Sequence, residues 1–225
     1  MITKKISILS VFLCFILIVQ STGYKSPHTS DFIQPAQKGL RENKYFSSVN
    51  FDELKSGESL TFLNLRAYQQ TTSYTCGPCC ALTLMSYYGQ KGDELKIAEE
   101  MGTSKEKGTN PEQMVTWLEN NGYDVEWGEH GSVDMLRENL KQEIPTLVEW
   151  IDWGGHWVVC VGYDDRGTKN KRDDVIIFAD PADSHDDNTD GITYFNATRF
   201  NYMWFDAFLF ERPMHKVYII AIPKK

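Results

Sequence analysis

Positive charge is scarce in this chain: 23 Lys and Arg face 31 Asp and Glu in 225 residues, a net charge of −8. A polyanionic backbone would be repelled overall, which excludes nucleic acid as a partner class. Long apolar runs are missing too. The apolar run at the N-terminus, Ile6–Val19, would span only about 21 Å as a helix, short of the roughly 30 Å hydrocarbon core. With 41% hydrophobic and 24% charged residues, the composition is that of a globular domain rather than a disordered, collagen-like or multi-spanning chain. Cysteine is sparse as well, five in all, too few for a disulfide scaffold. No internal repeat is present.

The N-terminal stretch has its own logic. Lys4 and Lys5 precede the uncharged run, and Ser21, Thr22 and Gly23 follow it as small residues, the pattern of a secretory signal peptide over residues 1–23. The alternative is an uncleaved anchor that would provide membrane contact. Cys14 follows the bulky Phe12 and Leu13, which argues against a lipid-attachment site. Removing residues 1–23 takes away two lysines and no acid, so −8 becomes −10. Cys76, Cys79, Cys80 and Cys160 remain.

Residues 24–59 mix Ser, Pro, Lys, Glu and scattered aromatics without period and read as an extension, linker or prosegment. The domain spans 60–225. Cys76 to Tyr88, CGPCCALTLMSYY, predicts a buried helix with Pro78 near its start and Gly89 after it. Amphipathic helices are expected over Asp93–Met101, Asn110–Asn121 and Ser132–Gln142. Then PTLVEWID, HWVVCVGYDD, DVIIFAD and VYIIAI read as strands. Helices first and strands second indicate an α+β layout rather than alternating βαβ units.

CGPCC admits two chemistries. Cys76-Gly77-Pro78-Cys79 spells a redox dithiol at a helix start, but that fold needs an apolar strand leading into the motif. Here the approach is the polar YQQTTSYT. The other reading makes Cys76 alone a nucleophile at a helix N-terminus, where the dipole favours thiolate. Such a nucleophile needs a base and an orienting group. His156 opens the apolar strand after Gly154-Gly155, and Asp180 ends VIIFAD. A hairpin around Asp164–Asp174 would bring His156 and Asp180 to one end of a sheet, where a carboxylate can hold an imidazole. A catalytically inactive peptide-binding module on the same scaffold is a third possibility.

Gln70-x5-Cys76-Gly77-Pro78, a helix ending Tyr-Tyr-Gly, Ile144-Pro145-Thr146-Leu147-Val148, Gly155-His156-Trp157-Val158-Val159 and Asp180-Pro181 together resemble the double-glycine leader peptidases, cysteine-peptidase family thirty-nine. The resemblance runs from about Leu60 to the C-terminus. It implies a papain-like cysteine peptidase fold, its N-terminal helical half carrying a buried nucleophile helix packed on a C-terminal antiparallel sheet. It implies Cys76 as nucleophile, His156 as base and then acid, Asp180 as its orienting partner and Gln70 as oxyanion donor with the Cys76 N–H; Gln69, one residue out of register, comes second. The expected substrate is a peptide or protein, no cofactor or metal is required, and the site of action is outside the cytoplasm, secreted or at the cell surface. Whether the chemistry is hydrolysis or transpeptidation is left open by the motif.

Other features are weighed and set apart. Cys76 and Cys79 could close a redox-controlling disulfide, and Cys80 and Cys160 could meet beneath the site, but small buried helix residues are the plainer reading of Cys79 and Cys80. Asp186-Asp187-Asn188-Thr189-Asp190-Gly191 begins like a calcium loop, yet Ala197 stands at the twelfth position where a bidentate Glu is needed; a solvated acidic loop is the plainer reading. Asn196-Ala197-Thr198 is a glycosylation sequon. Phe200, Tyr202, Trp204 and Phe205 form an aromatic group suited to a core or to a peptide-binding wall. His28, His130, His185 and His215 lack partners in sequence and receive no role.

Overall fold

The computed structural model describes residues 56–183, 190–206 and 212–225. The expected signal peptide and nearly all of the extension lie outside them. None of the helices among these residues is long and apolar enough to cross a membrane.

The chain runs β1 (Leu60–Phe62), α1 (Cys76–Tyr87), α2 (Glu94–Met101), α3 (Pro111–Asn120), β2 (Tyr123–Gly128), α4 (Val133–Lys141), β3 (Thr146–Trp150), a 3-10 turn (Asp152–Gly154), β4 (His156–Asp164), β5 (Val175–Ala179), β6 (Ile192–Asn196), α5 (Ala197–Met203) and β7 (Tyr218–Pro223). The helix starts follow from side-chain caps. Asp93 accepts from Lys96 N–H, Ser132 from Met135 N–H, and Asn110 forms a reciprocal capping box with Gln113 ahead of Pro111, each satisfying amide groups that the first turn leaves open.

The strands form one antiparallel sheet in the order β2-β7-β3-β4-β5-β6, with β1 pairing β4 off that path. The expected sequence of helices then strands holds for α1–α4 and β3–β5. It fails at β1, which precedes the helices, at β2, which separates α3 from α4, and at α5, which sits between β6 and β7. β1 lies across β4 where Gly162 faces it: a Cβ at Gly162 would come within 2.8 Å of Phe62 and 3.1 Å of Ile177, so only glycine permits that approach.

Helix α1 packs against β4 on one side and α2 and α3 on others. That explains its apolar surface all round, from Gly77 to Met85 without an exposed position. Strand β4 is buried along its whole length, as a strand covered on both faces must be. The aromatic group divides. Phe200 and Trp204 are buried, Phe200 against Trp150 and Phe178, whereas Tyr202 is exposed. Asn196 of the sequon caps α5, accepting from Arg199 N–H while its amide donates to the Arg172 carbonyl at 2.6 Å.

Candidate active site

Cys76 is the first residue of α1. The segment leading to it is irregular, and its shape is imposed from outside. The backbone N–H of Gln70 donates to the Pro181 carbonyl at 2.8 Å. The N–H of Thr71 donates to both carboxylate oxygens of Glu94 at 2.9 and 3.1 Å, and the Thr75 hydroxyl donates to the same carboxylate. Glu94 is therefore the peg on which the loop before Cys76 hangs. It is buried in the first turn of α2 on the stripe shared with Ile97, Ala98 and Met101. That acid in an apolar stripe is visible in the sequence, although no catalytic motif contains it.

At the helix start close packing replaces a side-chain cap. A Cβ on Gly77 would stand 2.8 Å from Thr109 Cβ and 2.9 Å from its Oγ1. Thr109 in turn bonds Thr103 Oγ1 at 2.7 Å and accepts the Trp157 indole N–H on its carbonyl at 2.8 Å. The start of α1, the 104–108 hairpin and the beginning of β4 are thus locked together through one threonine.

His156 begins β4 and Asp180 directly follows β5. The two strands pair antiparallel, with an irregularity between Cys160 and Gly162, and this brings His156 Nε2 to 2.8 Å from Asp180 Oδ1, both side chains buried. Asp180 is itself held. Its N–H donates to the Gly191 carbonyl, its carbonyl accepts Gln69 Nε2 at 2.8 Å, and its Oδ1 also accepts Ala182 N–H. With Nε2 committed to Asp180, Nδ1 is the ring nitrogen left for the thiol.

The electrostatics set Cys76 apart from its neighbours. Burial works against its thiolate, but the hydrogen bond and charge of His156, then the backbone of Trp157 and Gly77, outweigh it, so the thiol pKa falls below its ordinary value. For His156 burial opposes the charge, and the hydrogen bonds to Asp180 and Cys76 prevail, raising its pKa to about 10. The pair is poised as thiolate and imidazolium. Cys79, Cys80 and Cys160 go the other way, pushed up by burial, with Glu94 adding to the effect at Cys79. All four thiols are free. The Cys79 sulfur donates to the Tyr68 carbonyl and that of Cys80 to the Trp157 carbonyl. A raised Cys79 pKa runs against the dithiol reading, which needs an ionisable pair.

Cys76 and His156 open onto a cleft of about 420 Å³. Gln70, Tyr74, Gly155 and Trp153 line it, with Lys105–Gly108 on one wall. The two glutamines separate here. Gln70 lines the cleft, with Nε2 donating to the Thr72 carbonyl at 2.6 Å and Oε1 buried without a hydrogen-bond partner. Gln69 turns to Asp180 and supports that carboxylate's backbone. Trp153, just ahead of Gly154-Gly155, carries an exposed indole that meets the His156 ring edge-on at 5.0 Å.

The remaining candidates lie elsewhere. The N–H of His130 donates to the His215 carbonyl, and the His215 ring packs on Phe205. Residues 184–189, including His185 and most of the acidic loop, are outside the described residues, as is His28. Near that loop, Asp183 accepts Gly191 N–H and Asp190 accepts Ile192 N–H. Among the described residues no group of three or more His, Cys, Asp or Glu side chains could hold a metal ion.

Comparison with known proteins adds an independent line. No curated protein matches the chain. The fold is similar to the peptidase domain of Streptococcus ComA, a bi-functional ABC transporter involved in a quorum-sensing pathway, at 19% identity and a TM-score of 0.52, over 71% of this chain and 98% of that one. It is also similar to a protein described as a C39-like peptidase from Bacillus anthracis, at 14% identity and a TM-score of 0.50, over 75% of this chain and all of that one. Both share the helical layer and antiparallel sheet of the papain-like architecture. A family description, Peptidase_C39 like family, matches residues 62–206, a span that contains Cys76, His156 and Asp180 and exceeds half the chain. The protein is accordingly a cysteine peptidase belonging to the Peptidase_C39 like family.

Proposed function

We propose that the protein is an exported peptidase that cleaves a peptide substrate through Cys76, His156 and Asp180, with Gln70 completing the oxyanion site. The observation that carries this reading is the pairing of a thiol of lowered pKa at a helix start with an imidazole whose far nitrogen is held by a buried carboxylate.

The Cys76 thiolate attacks the peptide carbonyl carbon, and the C=O π pair moves to oxygen. The Gln70 amide and the Cys76 backbone N–H stabilise that oxyanion. The Gln70 NH2 carries two hydrogens, so one donor can stay on the Thr72 carbonyl while the other turns to substrate. As the C–N bond breaks, His156 gives the Nδ1 proton to the leaving amine, leaving a thioester on Cys76. Water then attacks the thioester, passing a proton to His156, and the thiolate leaves. Asp180 holds Nε2–H throughout and stabilises the imidazolium.

Residues 1–23 serve as export signal and 24–59 as a connecting extension, so the enzyme works on substrates outside the cytoplasm. The sequence pattern of Lys4, Lys5 and the following apolar run supports this. Peptide profiling tests the whole reading. Incubating the reduced protein with a complex peptide mixture should yield new termini that vanish in Cys76→Ala. Terminal sequencing of the exported form should place its first residue just after Gly23.

A further inference from the structure

Most tryptophans of the described chain are core residues: Trp117, Trp150, Trp157 and Trp204 are all 5% exposed or less. Trp153 is 67% exposed, and it is exposed on the reacting cleft. Its backbone is unusual too, φ 51 and ψ 21, a left-handed conformation that a bulky residue rarely adopts. Gly154 and Gly155 follow it, yet the aromatic side chain occupies the left-handed position beside them. The surrounding turn is over-determined: Gly154 N–H donates to the Ile151 carbonyl, Gly155 N–H to Asp152, and Ile151 N–H to Met203. Strain held by its neighbours at a cleft is a mark of function.

The direction of the indole supplies the function. Trp153 meets His156 edge-on, with planes at 84°, so it stands on the imidazole side of the cleft. In the reaction proposed above the leaving amine takes its proton from that imidazole, and the residue after the scissile bond must therefore lie on the same side. Resting on that reading, we propose that Trp153 is the specificity-determining residue for the leaving-group side and selects peptides with a large apolar or aromatic side chain immediately after the scissile bond. The substrate side chain covers the exposed indole, and water is displaced from the imidazole flank as it does so. The rest of the cleft is lined by Gln70, Ser73, Lys105 and Lys107, with Tyr74 the other aromatic ring beside the catalytic groups.

The test uses the reverse half-reaction on the full chain and needs no knowledge of the natural substrate. p-Nitrophenyl acetate acetylates Cys76 and releases p-nitrophenolate. The thioester is then offered an equal mixture of phenylalaninamide and glycinamide. The amine nitrogen attacks the thioester carbonyl, its proton passes to His156, the C–S bond breaks, and N-acetyl amino-acid amide leaves.

Wild type should favour the phenylalanine product by about tenfold after correction for the free reaction, the discrimination typical of an apolar site. Trp153→Gly suits the left-handed backbone and should fold; it should bring the product ratio close to one, a readout that a change in acetylation rate does not move because both amines draw on the same acetyl-enzyme. Trp153→Phe should retain part of the preference. An unchanged product ratio in Trp153→Gly would overturn the inference, as would an equal loss of acetylation and of both products, which would mean that Trp153 acts only through His156. Failure of wild-type Cys76 to form the acetyl-enzyme is a different result and would overturn the parent mechanism with it.

Discussion

Asp180 offers the most quantitative entry into the account. Its carboxylate sits 2.8 Å from His156 Nε2, with both side chains almost wholly buried. Removing it in Asp180→Ala leaves a buried imidazole that must either carry an unpaired charge or give up its proton. Breaking one side of such a pair costs about 3–5 kcal/mol in dry interiors; with the cleft alongside to admit water we expect the lower figure, about 3 kcal/mol. For a domain of this size that is a fall in Tm of about 6–12 °C.

The chemical consequence is sharper than the thermal one. The folded Cys76 pKa is depressed, so thiolate persists as pH falls towards that lowered value; the His156 pKa is raised to about 10, so imidazolium persists up to there. Without Asp180, burial opposes the imidazolium with only the hydrogen bond and charge of Cys76 on the other side, so the His156 pKa falls and the thiolate's main partner is weakened. Each pKa unit returned to Cys76 removes about nine-tenths of the thiolate below both values. The rate of iodoacetamide alkylation at pH 6, read by intact mass, should fall about tenfold or more in Asp180→Ala. In Asp180→Asn, which keeps an acceptor oxygen, the fall should be smaller and the stability loss about 1–2 kcal/mol. Superimposable pH–alkylation profiles for wild type and Asp180→Ala would refute the reasoning.

Gln70→Ala should lower kcat by about 10²–10³ and leave the pH profile of alkylation unchanged, because Gln70 meets the oxyanion and not the thiolate; Gln69→Ala should instead lower Tm, through the lost bond to the Asp180 carbonyl. Glu149 is buried, and burial, then Asp206, holds its pKa well above the ordinary value. Its folded pKa is raised, so stability is fullest below the unfolded pKa and declines as pH climbs. Glu149→Gln removes this dependence, and its unfolding free energy relative to wild type should improve from pH 5 to pH 8 by up to about 1.4 kcal/mol per pH unit. A constant offset would contradict the sign. Gly77→Ala forces a methyl onto Thr109 and should cost about 1–3 kcal/mol; combined with Thr109→Gly it should cost less than the two single changes added together, measured by denaturant unfolding.

The parts of the fold most legible in the sequence were those written in caps and apolar runs. Asp93, Asn110-Pro111 and Ser132 mark α2, α3 and α4 at their starts, and β3, β4, β5 and β7 follow the runs through Val148, Val159, Ile177 and Ile220. Strand β1 is three residues long, too short to show a period, and exists because Gly162 admits Phe62. Strand β2 alternates Tyr123, Val125 and Trp127 with Asp124 and Glu126, the acids exposed, a period-two signal without an apolar run. At the site, the hairpin argument anticipates that His156 and Asp180 share one end of the sheet. The resemblance already ranks Gln70 ahead of Gln69; the structure adds that Gln70 lines the cleft while Gln69 turns to the Asp180 carbonyl, as adjacent residues facing different sides of the chain do. Glu94 stands out as an acid on the apolar stripe of α2, but its partners Thr71 and Thr75, like those of Thr109, belong to segments distant in sequence, and local pattern does not name them.

The central claim is that a thioester forms on Cys76. Rapid quenching of the enzyme with a cleavable peptide, followed by intact-mass and peptide mapping, tests it most directly. The account predicts an acyl adduct on the Cys76 tryptic fragment, absent in Cys76→Ala and accumulating when deacylation is slowed at low pH. Undiminished peptide cleavage by Cys76→Ala, or an adduct confined to Cys79, would contradict it.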